Sequence, residues 1–371
     1  MKLVPSSIFF LFIVFPCRLV FCQADSLLYQ LSRISNDTER VNRIYKSGFA
    51  IRHTDPELAY QYAEAAEDAA LAGNSSVHLA KAYNLKGILH YKKGDYSRAL
   101  SYQTKALALN EQAGYIYGMA VNHTNLGNIY AEIGYDEPAE NAYLKALKAY
   151  NALNNRQQIV NSLINLGVLK DQGKHYGLAL RYFQTALAMA TEDKDMAVMA
   201  SCNNNIGAVL MEENLADSAL FYLEESLKLL DLQDNVVEMA DVYNNMGMSY
   251  IKKNMFPLAN YYLEKAARIS SEYNYTDARL HVYESFALLY EGQKNFEEAN
   301  TWLKKHYALK DSIWQLSKDA MALSFFDGPA ASVQTDIPPN ERQPVFKNGW
   351  LLVILGAFLI GIPLFLIRYK R

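Results

Sequence analysis

The chain repeats itself every forty residues, and this register constrains its fold more than any other feature. Gly87, Gly127, Gly167, Gly207 and Gly247 are spaced by forty, and Ala287 continues the series. Ala99, Ala139, Ala179, Ala219, Ala259 and Ala299 follow those positions by twelve, and the same step back reaches Ala59. A register kept without slip over seven units implies stacked copies of one supersecondary unit, each burying its neighbour's apolar face. Within a unit, apolar positions return at three- and four-residue intervals on both sides of a break, as in Leu126, Gly127 and Tyr130, then Ala139, Tyr143 and Ala146. That spacing predicts two amphipathic helices. The breaks carry turn and helix-start chemistry: Asp55-Pro56, Gly94-Asp95, Gly134-Tyr135-Asp136 and Gly173-Lys174. The expected fold is all-α, a solenoid of about seven helix hairpins.

The residues also carry a family resemblance. Gly-Asn-Ile-Tyr at 127–130 followed by Ala139, Tyr143 and Ala146 resembles a tetratricopeptide repeat. So does Lys-Gly-Ile-Leu at 86–89 followed by Gly94-Asp95-Tyr96, Ala99 and Ala106-Leu107. The likeness covers residues 39–312 and implies a right-handed α-solenoid that binds protein or peptide on its concave side. It departs from the family in its forty-residue period, where thirty-four is usual, so the second helices are expected to be longer by more than a turn. The first and last units are degenerate, as end caps must be. The whole arrangement is similar to the sensor half of membrane-bound regulators in Bacteroidetes-type bacteria. Those carry a kinase or DNA-binding domain on the cytoplasmic side, and this sequence shows neither.

The two ends read differently from the repeat. Residues 1–24 open with Lys2, run through the apolar stretch Ile8 to Phe15 and reach small or polar residues before Asp25. They read as a secretory signal, with cleavage after Cys22 or after Ala24. Trp350 to Ile367 is eighteen residues without a charge, long enough to span a hydrocarbon core, and Arg368, Lys370 and Arg371 place the C-terminus on the cytoplasmic side. The expected domains are a signal at 1–24, the solenoid at 25–324 and a linker at 325–349 containing Pro329, Pro338, Pro339 and Pro344. A transmembrane helix at 350–367 and a basic tail at 368–371 complete them. The expected location is the inner membrane, with the repeats in the periplasm. Cys202 is then the single cysteine of the mature chain, and its helical context reads as core.

Charge and motifs exclude several functions. Without the five basic residues of the two ends, 31 basic side chains stand against 39 acidic ones, a balance of about −8. Nucleic acid needs a basic face, so it is excluded as a partner. There is no phosphate-binding glycine loop, His-Glu-x-x-His, paired-Cys or Gly-x-Ser-x-Gly motif, and the seven histidines lack ligand spacing. No catalytic residue, metal or cofactor is therefore assigned, and the chain is not read as an enzyme.

One recurring polar position bears on binding. Asn125, Asn165, Asn205 and Asn245 fall two residues before the glycine in four successive first helices, and Asn204 and Asn244 precede two of them. Such a ladder can read an extended peptide backbone, because each amide both donates and accepts. It can equally bond neighbouring helices to each other and hold the stack. Variable positions nearby, Asn84, Tyr91, Asn128, Glu132, Asp171, Glu212, Lys252 and Glu284, are the candidates for specificity on the concave face. Within the resemblance, chaperone-binding relatives use a groove lysine where this chain has Thr124, so an acidic chaperone tail does not fit. The function expected is capture of a protein or peptide outside the cytoplasm, relayed to a separate membrane or cytoplasmic signalling partner. The alternative is a structural scaffold or assembly factor of an envelope or secretion complex.

Overall fold

In the computed structural model the structure describes Ile34 and residues 37–324, with side chains as far as Ser312. The expected signal, linker, membrane span and basic tail lie outside the described residues. Among the described residues no helix is long and apolar enough to cross a membrane.

Fourteen helices and no strand make up the described residues. They are α1 (Asp37–Ile51), α2 (Pro56–Ala72), α3 (Ser76–Lys92), α4 (Tyr96–Gln112), α5 (Ile116–Glu132), α6 (Asp136–Ala152) and α7 (Arg156–Gln172). They continue as α8 (Tyr176–Asp193), α9 (Met196–Glu212), α10 (Ala216–Asp231), α11 (Met239–Lys252), α12 (Phe256–Glu272), α13 (Thr276–Gly292) and α14 (Phe296–Ser324). Each odd-numbered helix packs most extensively on the even-numbered helix that follows, giving seven hairpins. The expected lengthening of the second helices is not what is found. First and second helices alike are mostly 17 residues, as in α3 and α4 or α5 and α6.

The reason is that both kinds of turn use the same stop signal. A residue with positive φ recurs every twenty positions, from Asn74, Gly94, Gly114 and Gly134 through Asn154, Lys174 and Lys194 to Asn274 and Lys294. At each the chain closes a six-to-one backbone bond, for example Ser75 N–H to Ala70 O at 3.0 Å and Asp95 N–H to His90 O at 3.0 Å. The preceding residue pairs five-to-two, as Asn74 N–H does to Leu71 O at 3.1 Å. This is a Schellman stop, which satisfies the last carbonyls of a helix when C′ is left-handed. Several starts are fixed by side-chain caps: Asp55, Asp95, Asn155 and Asp195 each accept from the N–H three residues on. The regular start fails once, at α11, which begins at Met239 rather than at position 236 and leaves Glu238 in the preceding turn.

The core is the space between first and second helices. Ala59, Ala99, Ala139, Ala179, Ala219 and Ala259 are fully buried and let the two backbones approach. The repeating glycines each face one large side chain of the partner helix. A methyl group at Gly127 would lie 2.5 Å from Tyr143 Cε1, and one at Gly167 would lie 2.5 Å from Phe183 Cε1. Leu223 and Leu263 occupy the same place against Gly207 and Gly247. Cys202 is completely buried, and desolvation pushes its thiol up to about 12, which makes it a core residue.

Candidate binding groove

The first helices share one face of the solenoid, and the asparagine register runs along it. At two places it behaves as a ladder. Asn125 Nδ2 of α5 donates to Asn84 Oδ1 of α3 at 2.7 Å, and Asn245 Nδ2 of α11 donates to Asn204 Oδ1 of α9 at 2.9 Å. Donor and acceptor stand 41 residues apart, so each bond ties one first helix to the next. Asn84 is buried, and its backbone carbonyl accepts from Gln103 Nε2 at 3.1 Å. Gln103 in turn accepts from Asn122, and Asn122 from Asn110, which forms a buried polar seam. These amides hold the stack.

Between these two rungs the ladder is interrupted. The acceptor position of the 41-residue register is Thr124 on α5 and Ile164 on α7. Thr124 Oγ1 donates instead to its own helix, to Ala120 O at 3.1 Å, and Ile164 has nothing to offer. Asn165 and Asn205 are thus left without a side-chain hydrogen bond among the described residues. The first helices also separate here: α3 with α5 and α9 with α11 approach closely, whereas α5 with α7 and α7 with α9 do so little.

A cavity of about 700 Å³ opens at this interruption. Its wall is built from four successive first helices: Thr124 of α5, Gln158, Asn161 and Asn165 of α7, Ser201, Asn204 and Asn205 of α9, and Asp241 of α11, with Glu238 and Tyr275 from turns. Apolar patches from Ile164, Val198, Leu230 and Val242 lie between the amides. Polar groups set in an apolar wall are what an extended peptide requires, with backbone partners for its amides and shallow pockets for side chains. Tyr275 OH donates to Asp241 Oδ2 at 2.9 Å. Burial raises the Asp241 carboxyl above its ordinary value, and Asp277 and Glu238 add to the rise, against the Tyr275 bond and His281.

Of the residues singled out in the sequence, Asn165, Asn204 and Asn205 line this cavity. Asn84, Asn125 and Asn245 sit in the bonded rungs. Asn244 is buried with Oδ1 unpartnered, and Asn128 accepts from Tyr143 OH at 2.8 Å. Tyr91, Glu132, Asp171, Glu212 and Lys252 lie toward the C-terminal ends of the first helices and Glu284 at the middle of α13, all outside the cavity. There Tyr91 packs on Tyr96, Tyr96 OH reaches Glu132 Oε1 at 3.5 Å and Lys252 pairs with Glu212 at 3.6 Å. Asp171 is raised by burial and by Glu212, and Glu284 is exposed. Missed from the sequence were Gln158, Asn161, Ser201, Glu238 and Asp241. The signal existed: stepping back from Asn165 and Asn205 by four and by seven residues along one helical stripe reaches Asn161 and Gln158, and Ser201 and Val198.

Residues 80–113 and 121–152 each match a model of the tetratricopeptide repeat. A comparison of the sequence with curated proteins found no match. Among solved structures, the apo form of RapI is similar, with a TM-score of 0.64 and 16% identity over 74% of this chain and 99% of that one. A Rap protein complexed with competence and sporulation factor gives 0.62 and 13% over 78% and 80%. NprR in complex with its cognate peptide NprX gives 0.57 and 15% over 93% and 95%. The fold is a tetratricopeptide-like solenoid.

Proposed function

We propose that the chain is a binding protein whose groove captures an extended peptide or protein segment outside the cytoplasm, and that residues 350–367 anchor it in the membrane while a separate cytoplasmic partner reads occupancy. The observation that carries the binding role is the interrupted ladder, which leaves the amides of Asn165 and Asn205 free on the wall of a 700 Å³ groove. Free amides fixed on rigid helices can pair with a peptide backbone without first being ordered. The similar NprR and Rap structures were solved with a cognate peptide and with competence and sporulation factor, which supports a peptide as the occupant here. The anchoring role rests on the uncharged stretch from Trp350 to Ile367 and the three basic residues after it.

The test is a crosslinking pull-down from intact cells with the full-length chain, the Asn165→Ala/Asn205→Ala variant and a variant lacking residues 350–371. The asparagine variant should lose the captured partner about tenfold or more, since each amide bond contributes about 1 kcal/mol, and keep the wild-type melting temperature. Asn84→Ala, by contrast, should lower the melting temperature, because it empties a buried site and leaves the half-buried Asn125 donor unpaired. Equal recovery by the asparagine variant would refute the groove. Recovery of a cytoplasmic regulator with the full-length chain alone supports a relay, whereas recovery of the same envelope proteins by the truncated chain supports a scaffold.

A further inference from the structure

The groove is not electrically uniform. Its amide wall on α7 and α9 carries no charge, and the charged groups among its described lining residues are Glu238 and Asp241 alone, both at the α11 end. Neither is neutralised by a lysine or arginine: among the described residues, Asp241 has the Tyr275 hydroxyl on one carboxylate oxygen, and Glu238 has no side-chain partner. Elsewhere on the solenoid some carboxylates of second helices are paired with a lysine of a neighbouring first helix, as Glu67 of α2 is with Lys86 at 2.5 Å and Glu140 of α6 with Lys170 at 2.6 Å. Asp277 contributes a third negative charge near Asp241, and His281 on α13 is the basic side chain that faces it.

Asp241 is half-buried and Glu238 is exposed at the rim; burial raises the Asp241 carboxyl, and the like charges of Asp277 and Glu238 add to the rise. Their position follows from the one irregular helix start: because α11 begins three residues late, Glu238 stays in the turn, within the groove wall and one helical step from Asp241. A cation placed between them would relieve the repulsion and complete the free oxygen of Asp241.

Resting on the peptide-groove reading, we infer that the ligand presents a cationic group to Asp241 and Glu238 while its backbone lies along the amides of α7 and α9. That group is an ammonium or guanidinium, from a free N-terminus or from a Lys or Arg side chain. The amide wall then sets the reach of the ligand and the carboxylates set its direction.

Three synthetic heptapeptide mixtures, randomised at every other feature, separate the possibilities on the full-length chain immobilised in detergent micelles. One has a free N-terminal amine and no Lys or Arg, the second is acetylated and carries one Lys, and the third is acetylated with no basic residue. Retention of the first or the second at about tenfold over the third is expected, the gain of one charge-assisted bond, and identifies which source of charge is used. In the Asp241→Asn/Glu238→Gln variant that ratio should fall to about one. Tyr275→Phe, which keeps both charges, should preserve it, so that loss of the preference tracks charge rather than folding. Equal retention of all three mixtures by the wild type, or a preference that survives removal of both carboxylates, overturns the inference and leaves the groove standing. Retention of none overturns the groove reading along with it.

Discussion

Gly167→Ala should destabilise the solenoid by about 2 kcal/mol, although helix propensity alone favours the change. Alanine in a helix interior is worth about 1 kcal/mol over glycine. Against that, the new methyl would lie 2.5 Å from Cε1 and 2.8 Å from Cδ1 of Phe183. The ring must retreat by roughly 1 Å to restore ordinary contact. It has nowhere to go: Phe183 is 1% exposed and packs with Ala179, Ile206 and Val209. Overpacking a dense core costs about 1–3 kcal/mol, and a clash with an immobile ring belongs at the upper end. Net of propensity, thermal unfolding followed by circular dichroism should show a drop of about 5 °C. The decisive comparison is in the Phe183→Ala background, itself weaker by about 3–5 kcal/mol. With the ring gone, adding the methyl at 167 should be neutral or stabilising. If Gly167→Ala is as harmful there as in the wild type, close approach to the ring is not why glycine recurs every forty residues.

Three further changes test other parts of the account. Because the Asp241 carboxyl titrates above its ordinary value in the folded chain, the native state holds that proton more tightly than the unfolded state. Its contribution is thus favourable at low pH and is lost as pH rises through the raised value. Asp241→Asn, which keeps an acceptor for Tyr275, should melt higher than wild type at pH 7, with the difference closing as the pH falls toward 3. A side chain at positive φ is strained, so Lys194→Gly should raise stability by about 1 kcal/mol and Gly114→Ala should lower it by about as much, both read by urea titration. Thr124→Asn offers Asn165 the acceptor it lacks; it should raise the melting temperature by drawing α5 toward α7 and should weaken ligand capture, and no change in either would refute the interrupted ladder.

The forty-residue register and the two-helix unit were legible because they rest on residues that cannot be exchanged freely. Gly127 must be small to admit Tyr143, and Ala139 must be small to admit its neighbouring helix. Equal helix lengths were less visible. The twenty-residue stop is written in left-handed positions where Gly, Asn, Asp and Lys alternate, as at Gly134, Asn154, Lys174 and Asp234. A search for glycine alone finds the period of forty more easily than the period of twenty. The asparagine register was visible as a pattern, but its two roles were not. Whether an amide bonds a neighbour or faces a groove depends on what stands 41 residues earlier, and that partner position holds Asn84 and Asn204 in one case and Thr124 and Ile164 in the other. The late start of α11, which brings Glu238 beside Asp241, depends on a turn whose sequence carries no strong breaker.

A solenoid in which every unit satisfied its neighbours would have no polar group left over for a ligand. Here the bonded rungs at Asn84–Asn125 and Asn204–Asn245 flank the two open positions, so the ends of the groove are fixed while its middle is free. Loss of the ladder in the middle does not loosen the stack, because the hairpins there remain joined by Tyr143, Leu166 and Phe183 in the core. The cost of ordering the amides is therefore met by packing beneath them rather than by the ligand. The same chemistry that holds the first helices together becomes recognition chemistry wherever its partner in the preceding unit is replaced by a residue that cannot accept.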